Sequence, residues 1–363
     1  MQQKIQNRTW LRFKKNKTAI VPLYFILLTV FVACFAYILS PDSSPNANTI
    51  QLEIATQQPG FSCLFFKKYK ENIPKTHFLK TLIFGKKPDA ELISATQITA
   101  VGDSMIVMHI IDEKLTERLA FPIDNNIPDI NKHYILKRTF YLGTDRYGRD
   151  ILSRLMIGAR VSLAVGFIAV ILSIGIGVLL GSISAYFAGY IDWVITWFIN
   201  VIWAIPTLLL VFSITSVIGK GFWIIFISIG LTMWVGTARL IRGQVLSLKE
   251  LEYIQVAKTM GFSSWRIITR HILPNIMGPS IVMAASNFAT AILIEAGLSF
   301  LGIGVQPPIS SWGLMIKENY NFIITNRPML AIVPGIAIML IVLAFNLLGN
   351  ALRDAMDVKG SIK

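Results

Sequence analysis

The chain has 363 residues, of which 54% are hydrophobic and only 15% charged, and its mean hydropathy is +0.59. That apolar excess excludes an ordinary soluble domain, because a fold of this length has too little interior to hide it; the chain needs lipid as solvent. A net charge of +14 does not call for nucleic acid, since basic residues on one side of a membrane protein set its topology and meet anionic headgroups, and no basic stripe interleaved with aromatics is visible.

Hydrocarbon about 30 Å thick takes about 20 residues of helix. Six regions are long and apolar enough: residues 20–39, and stretches within 161–190, 193–219, 221–238, 281–300 and 328–352. All six are expected to be helices, which satisfy their own backbone hydrogen bonds in lipid. The first is not read as a secretory signal, because its apolar run continues past Cys34 to Leu39. Pro206 and Pro334 are expected to kink the third and sixth spans.

Orientation follows from lysines and arginines in the short loops and tails. With the N-terminus inside, cytoplasmic segments hold Lys4, Arg8, Arg12, Lys14, Lys15, Lys17, Arg239, Arg242, Lys249, Lys258, Arg266, Arg270, Arg353, Lys359 and Lys363, while the short outer loops hold only Lys220, Lys317 and Arg327. Both termini are therefore expected in the cytoplasm.

Between the first and second spans the composition turns polar and mixed in charge. The expected layout is an N-terminal tail and first helix at 1–40, an extracytoplasmic insert at 41–139, and the remaining helices at 140–363 with a cytoplasmic loop at 239–275. Within the insert, residues 49–54, 92–98 and 104–111 alternate like short strands and are bounded by turn residues, which predicts a small β-rich module. His109 and His133 lack metal-ligand spacing and are read as loop residues. Cys34 lies in a span and Cys63 in the insert, so no internal disulfide is expected.

The loop at 239–275 has the layout helix, break, helix. Leu251, Ile254, Ala257 and Lys258 fall at helical spacing, Gly261 suits a left-handed C-terminal cap, Ser263 or Ser264 suits the next N-cap, and Pro274 is expected to end the second short helix. Two readings stay open on the residues alone: a solvated basic loop, or an amphipathic element that docks in a partner's groove.

The same loop resembles the EAA segment of ABC importer permeases: Glu-Ala-Ala, three residues, Gly, nine residues, then Ile-x-Leu-Pro. Here the pattern falls on Gln255, Val256 and Ala257, then Gly261, then His271 through Leu273 and Pro274, with Gln255, Val256 and His271 departing from the usual types. Residues 142–166 (LGTDRYGRDILSRLMIGARVSLAVG) and 295–313 (EAGLSFLGIGVQPPISSWG) resemble the second, C-type permease of the dipeptide, oligopeptide and nickel branch. The resemblance does not cover the insert.

It implies an all-α permease fold of six transmembrane helices in the inner (plasma) membrane, pairing with a homologous permease, two cytoplasmic ABC ATPase domains and an extracytoplasmic substrate-binding protein. It also implies that the chain is not an enzyme: ATP and Mg would be used by the partners, with no cofactor or metal bound directly. The chain itself has no G-x-x-x-x-G-K-[ST] phosphate loop. Peptide is the implied cargo, with nickel, glutathione and peptide antibiotics as alternatives.

Two further places attract attention. Asp145, Arg149 and Asp150, in the segment 143–150, either brace the approach to the second span as exposed charge pairs or contact a partner protein. Glu295 is the one acidic residue within a predicted span, so it either serves the translocation path or sits near the interface; Gly297 beside it allows close helix packing. A polytopic membrane enzyme would need paired catalytic groups at membrane depth, and a secondary transporter inverted repeats; the sequence offers neither.

Overall fold

The computed structural model describes residues 13, 16–70, 77–112, 115–123, 127, 129–219, 221–325 and 327–356. Of the residues used above for orientation, Lys4, Arg8, Arg12, Lys14, Lys15, Lys220, Lys359 and Lys363 lie outside the described residues. The chain divides into two compact units. One takes Met1–Val30, Ser162–Gln306 and Ile336–Lys363; the other takes Phe31–Val161 and Pro307–Gly335.

The helices are α1 (Lys17–Cys34), α2 (Ala36–Leu39), α3 (Phe78–Phe84), α4 (Ile130–Tyr134), α5 (Ile151–Phe187), α6 (Gly189–Trp203), α7 (Thr207–Ile218), α8 (Phe222–Lys249), α9 (Glu252–Thr259), α10 (Ser264–Ile267), α11 (Leu273–Leu301), α12 (Trp312–Asn319) and α13 (Met329–Met356). Five are long and apolar enough to cross a membrane, counting α10 through α11 as one helix of 38 residues, and six if the bent pair α6 and α7 makes one span. All six regions read from the sequence are thus helical.

The third departs from a simple span. Pro206 has no N–H to donate and its ring excludes the helical position of the carbonyl four residues back, so the chain turns by 94° between α6 and α7. The result is a break, sharper than the expected kink.

In the first unit, glycines let α5 and α8 approach. A Cβ on Gly177 would stand 2.4 Å from the Thr237 Cβ, and one on Gly181 2.5 Å from the Ala238 carbonyl oxygen. In lipid there is no hydrophobic drive between helices, so such close van der Waals contact holds them together. Sequence reasoning placed this role on Gly297 of the fifth span; the tightest glycine contacts between helices instead join α5 to α8. Asn287 on α11 adds a polar tie, donating to Ser173 Oγ on α5 and Thr237 Oγ1 on α8, both at 3.1 Å.

The second unit holds a five-stranded antiparallel sheet of β1 (Phe61–Tyr69), β2 (Ala90–Val101), β3 (Ser104–Asp112), β4 (Leu115–Pro122) and β5 (Ile135–Phe140) in the order β4-β3-β2-β1-β5. Period-two alternation along β1 sends Cys63 and Phe65 to one face, against Ile54 and Phe140, and Phe66 to the other, against Ala95, Met105 and Val107. Each face thus has its own small core.

Two of the three predicted strands are β2 and β3. The third, at 49–54, is corrected: it forms a 3₁₀ turn at Leu52–Ile54 that lays Ile54 onto the sheet. Its backbone bonds go elsewhere, Gln51 N–H to the Tyr147 carbonyl at 3.0 Å and Thr56 N–H to the Asp145 carbonyl at 2.9 Å. His109 also moves from loop to strand, where its Nδ1 lies 2.9 Å from the Ser94 carbonyl oxygen.

Candidate functional site

The loop between α8 and α11 is built on a helix cap. Gly261 takes φ +79, its N–H donates to the Lys258 carbonyl at 3.1 Å, and the Phe262 N–H reaches the Ala257 carbonyl at 3.2 Å. Those two bonds are the Schellman closure of α9, which needs a left-handed residue at this position. Ser263 then caps α10, its side chain accepting from the Arg266 N–H. One glycine and one serine reverse the chain.

Two side chains of α9, Ile254 and Ala257, are buried among Ile267, Ile268 and Ile272 of the following helix, Ile241 and Val245 of α8, and Ala185 of α5. Burying an isoleucine stabilises by about 1.5–3 kcal/mol, which seats the loop on the ends of the long helices. Gln255 and Val256 face outward; the Gln255 amide donates to the Glu250 carbonyl at 3.2 Å.

The outward face is unusually apolar for a polar loop. Tyr253 and Val256 are exposed, and Met260 and Trp265 remain 68% and 65% exposed. These are the residues that a docking groove would cover.

Two expectations about this loop are corrected. Its first part is helical, since α8 continues to Lys249 and carries Arg239 and Arg242. Arg242 makes a bidentate pair with Asp192 on α6, at 2.7 and 2.6 Å, and Arg239 donates to Asn200 Oδ1 at 2.8 Å while lying 4.3 Å over the Trp203 ring. Pro274 does not end the second helix either. A π turn at Ile268–Ile272 widens the backbone just before it, and Pro274 falls in the first turn of α11, where a missing N–H costs little. Leu273 packs against the isoleucine cluster, and His271 lies between the rings of Phe262 and Tyr253, with centroids at 6.4 and 6.5 Å.

Residues 143–150 make the other site, and here the expectation of exposed charge pairs is overturned. Asp145, Arg149 and Asp150 are 2%, 3% and 3% exposed. Asp145 accepts from the backbone N–H of Tyr147 at 2.9 Å and of Arg149 at 3.0 Å, from Arg149 Nε at 2.7 Å and from Arg154 Nη1 at 3.0 Å. Glu318 on α12 closes the cluster, 2.7 Å from Arg149 Nη2 and 2.9 Å from Arg154 Nη2. Two arginines and two carboxylates thus balance out of water.

Burial pushes the carboxyls of Asp145 and Glu318 above their ordinary values, and the Arg154 charge pulls each back. Asp150 does something else: its carboxylate accepts the Ser153 N–H at 3.1 Å and also the Ser153 hydroxyl, capping α5. Arg154 and Glu318 were not singled out from the sequence. The ILSRL and IKENY neighbourhoods gave no spacing that pairs residues so far apart in the chain.

Glu295 is fully buried on α11 and takes the Ser299 hydroxyl at 2.7 Å, while Ser299 Oγ accepts the Val305 N–H at 3.0 Å. Gly302 (φ +88) turns the chain, and Gly304 passes so close that a Cβ would stand 2.2 Å from Ser299 Oγ. The motif from Glu295 to Val305 is therefore a polar chain that closes the end of α11. Gly297 looks toward α7, with Leu208 at ordinary contact distance. A recess of about 310 Å³ at the α6 and α7 break is lined by Trp203, Pro206, Met283, Asn287, Thr290 and Ile294; Glu295 is not on its wall.

The family profile "Binding-protein-dependent transport system inner membrane component" matches residues 177–359, and "N-terminal TM domain of oligopeptide transport permease C" matches 7–59. The dipeptide transport system permease protein DppC of Lactococcus lactis is 30% identical over 356 residues, covering 97% of this chain and 90% of its own length. DppC of Alkalihalophilus pseudofirmus is 42% identical and the glutathione transport system permease protein GsiD of Pectobacterium atrosepticum 41%, each over 219 residues, 60% of this chain and 72% of the relative. An inward-facing structure of the MetNI methionine ABC transporter overlays 55% of this chain and 95% of its own at 15% identity, with a TM-score of 0.45. With a family profile across half its length and a 30% identical relative across nearly all of it, the chain belongs to the inner-membrane components of binding-protein-dependent transport systems.

Proposed function

We propose that this chain is the second permease of an ABC importer for peptides, forming half of the translocation pathway. It pairs with a homologous permease, two cytoplasmic ATPase domains that use ATP and Mg, and an extracytoplasmic binding protein that delivers cargo. Both termini face the cytoplasm. The observation that carries the coupling role is the loop: a capped short helix rooted by Ile254 and Ala257, with Tyr253, Val256, Met260 and Trp265 left outside.

That arrangement suits mechanical work. A groove closing on α9 moves a rooted body, and α10 through α11 runs on as one helix of 38 residues to the end of the fifth span. Displacement at the loop then becomes displacement in the membrane, without a soft linker to absorb it. The recess at the α6 and α7 break is where this half meets cargo, since backbone that is not helical at membrane depth is tolerated when it lines a cavity or is covered by protein. Glu295 and Gly297 act in packing and helix closure, and Asp145, Arg149 and Asp150 in bracing.

Peptide as cargo rests on the names of the relatives, and glutathione follows closely because its permease relative has nearly the same identity to this chain. Expressing the chain with a homologous permease, two ATPase domains and a binding protein of the same system in a strain unable to take up peptides tests the proposal. Dipeptide uptake should appear, should stop on ATP depletion, and an ATPase should co-purify with the chain. Uptake that survives ATP depletion, with no ATPase retained, sinks it; uptake of glutathione or nickel alone reassigns the cargo.

A further inference from the structure

Asn287 carries a carbonyl oxygen that the tie between α5, α8 and α11 does not use. Both hydrogens of its amide are spent, on Ser173 Oγ and Thr237 Oγ1 at 3.1 Å. Ser173 fixes which way round that amide lies, because its own hydroxyl donates to the Val170 carbonyl at 3.2 Å and its oxygen is left to accept. Asn287 Oδ1 is the atom left over, and among the described residues no donor reaches it.

The side chain is 5% exposed, and it lines the recess at the break between α6 and α7. Oδ1 is not one of the oxygens sealed in the packing without a donor, so it keeps contact with that opening. At the depth of a membrane span an acceptor without a donor is costly, and a polar group held there serves a pathway or a ligand by default.

The other polar side chains of the recess have a definite sense. Thr232 gives its hydroxyl hydrogen to the Ile229 carbonyl at 2.9 Å and Thr290 gives its own to the Ser286 carbonyl at 3.0 Å, so both offer lone pairs only. At the exposed rim the Thr207 hydroxyl and the Trp203 indole N–H have no partner among the described residues and can donate. No charged side chain lines the recess. An ammonium or carboxylate entering it would lose its water without gaining a counter-charge. Acceptors inside, donors at the rim and apolar walls suit a peptide unit, which has one N–H and one C=O beside a side chain.

Gly236 on α8 keeps this space open. A Cβ there would stand 3.4 Å from Met283 Cε and 3.8 Å from the Trp203 ring, so a longer side chain would grow between them. Glycine is unfavourable inside a helix, and here it makes room in the recess.

We propose that Asn287 reads the cargo: its Oδ1 accepts a backbone N–H of a peptide, a side chain of that peptide lies against Met233, Met283 and Ile294, and the charged termini stay outside the recess. That the donor is a peptide rests on the importer reading above. Selection here acts on the backbone, so it tolerates varied side chains and rejects cargo without the N–H.

The test compares uptake of trialanine with uptake of its analogue methylated on both amide nitrogens, by the assembled transporter with the unaltered chain or with Asn287→Ala. Asn287→Ala should lower trialanine uptake about tenfold and leave the methylated peptide within about twofold, because that peptide never made the bond. Any preference of the binding protein is the same in both transporters and cancels. Thermal unfolding and ATPase retention check assembly, and Asn287→Leu stands in if Asn287→Ala fails them. Gly236→Leu should lower uptake of both peptides. Equal loss for both peptides in Asn287→Ala, or no loss, overturns the assignment and leaves the importer reading; undiminished uptake with Gly236→Leu removes the recess from the path. If the binding protein delivers no methylated peptide, a diazirine-bearing peptide decides: label at Met233 or Met283 that is lost in Asn287→Ala supports the site, and label elsewhere overturns it. No peptide uptake by the unaltered transporter rejects the importer reading, and the site with it.

Discussion

The loop at 239–275 and the 143–150 segment were both charged, glycine-bearing stretches beside a span, and they fold in opposite senses. In the loop, apolar side chains stay outside and the capping glycine stands in open space, with nothing within 4 Å of a Cβ at Gly261. In the segment 143–150, charged side chains go inside and Gly148 lies against a carbonyl. Surface that is apolar without being needed for folding implies recognition; charge that is withdrawn from water and balanced by opposite charge implies architecture. One region is free to meet a partner, and the other is committed to its own unit.

Removing one member of the buried cluster should therefore do the most damage. Arg154→Ala leaves Asp145 and Glu318 facing each other with half their compensation, and about 3–5 kcal/mol of stability is expected to go, read as a large drop in unfolding midpoint in detergent. If the midpoint barely moves, the cluster is not what holds the second unit. Ala257→Leu comes next: Ala257 is buried in a cluster of isoleucines, and overpacking such a core costs about 1–3 kcal/mol. Its loop should loosen and ATPase retention fall, which protease sensitivity at Lys258 would report.

Gly261→Ala introduces no clash, only a left-handed alanine, so about 1–2 kcal/mol is expected, with uptake falling further than stability. Equal loss in both would mean that the loop has no role beyond its fold. Val256→Glu should leave the midpoint within about 0.5 kcal/mol, yet weaken ATPase co-purification strongly; an undiminished complex would place the docking face elsewhere. Asn287→Leu is expected to cost about 0.6 kcal/mol and at most about 2, with no loss of ATPase retention, because lipid-embedded hydrogen bonds are worth little net. A change in cargo preference at preserved stability would tie Asn287 to the recess at the helix break.

The capping signals read well from sequence because they are local: Gly261 and Ser263 act through bonds to residues within five positions. The departures came from partners far along the chain. Residues 49–54 alternate like a strand, but their backbone is taken by the turn at 145–147 and so never joins a ladder. Asp145 and Arg149 look like a surface pair until Glu318, well over a hundred residues on, supplies the second carboxylate that lets both arginines go inside. Pro274 is a helix breaker in an isolated segment, and only the π turn before it, packed by Ile268 and Ile272, lets the helix continue.

By itself, then, the sequence determined the solvent of this protein, the number of its apolar helices and the helix, glycine, helix form of its loop. Those follow from composition and from period, which are properties of the chain before it folds. The tertiary structure decided which charges are buried and where the third span breaks. Burial and pairing depend on what long-range contacts bring alongside, and in a chain this apolar those contacts fix whether a charged residue braces the fold or stays in solvent.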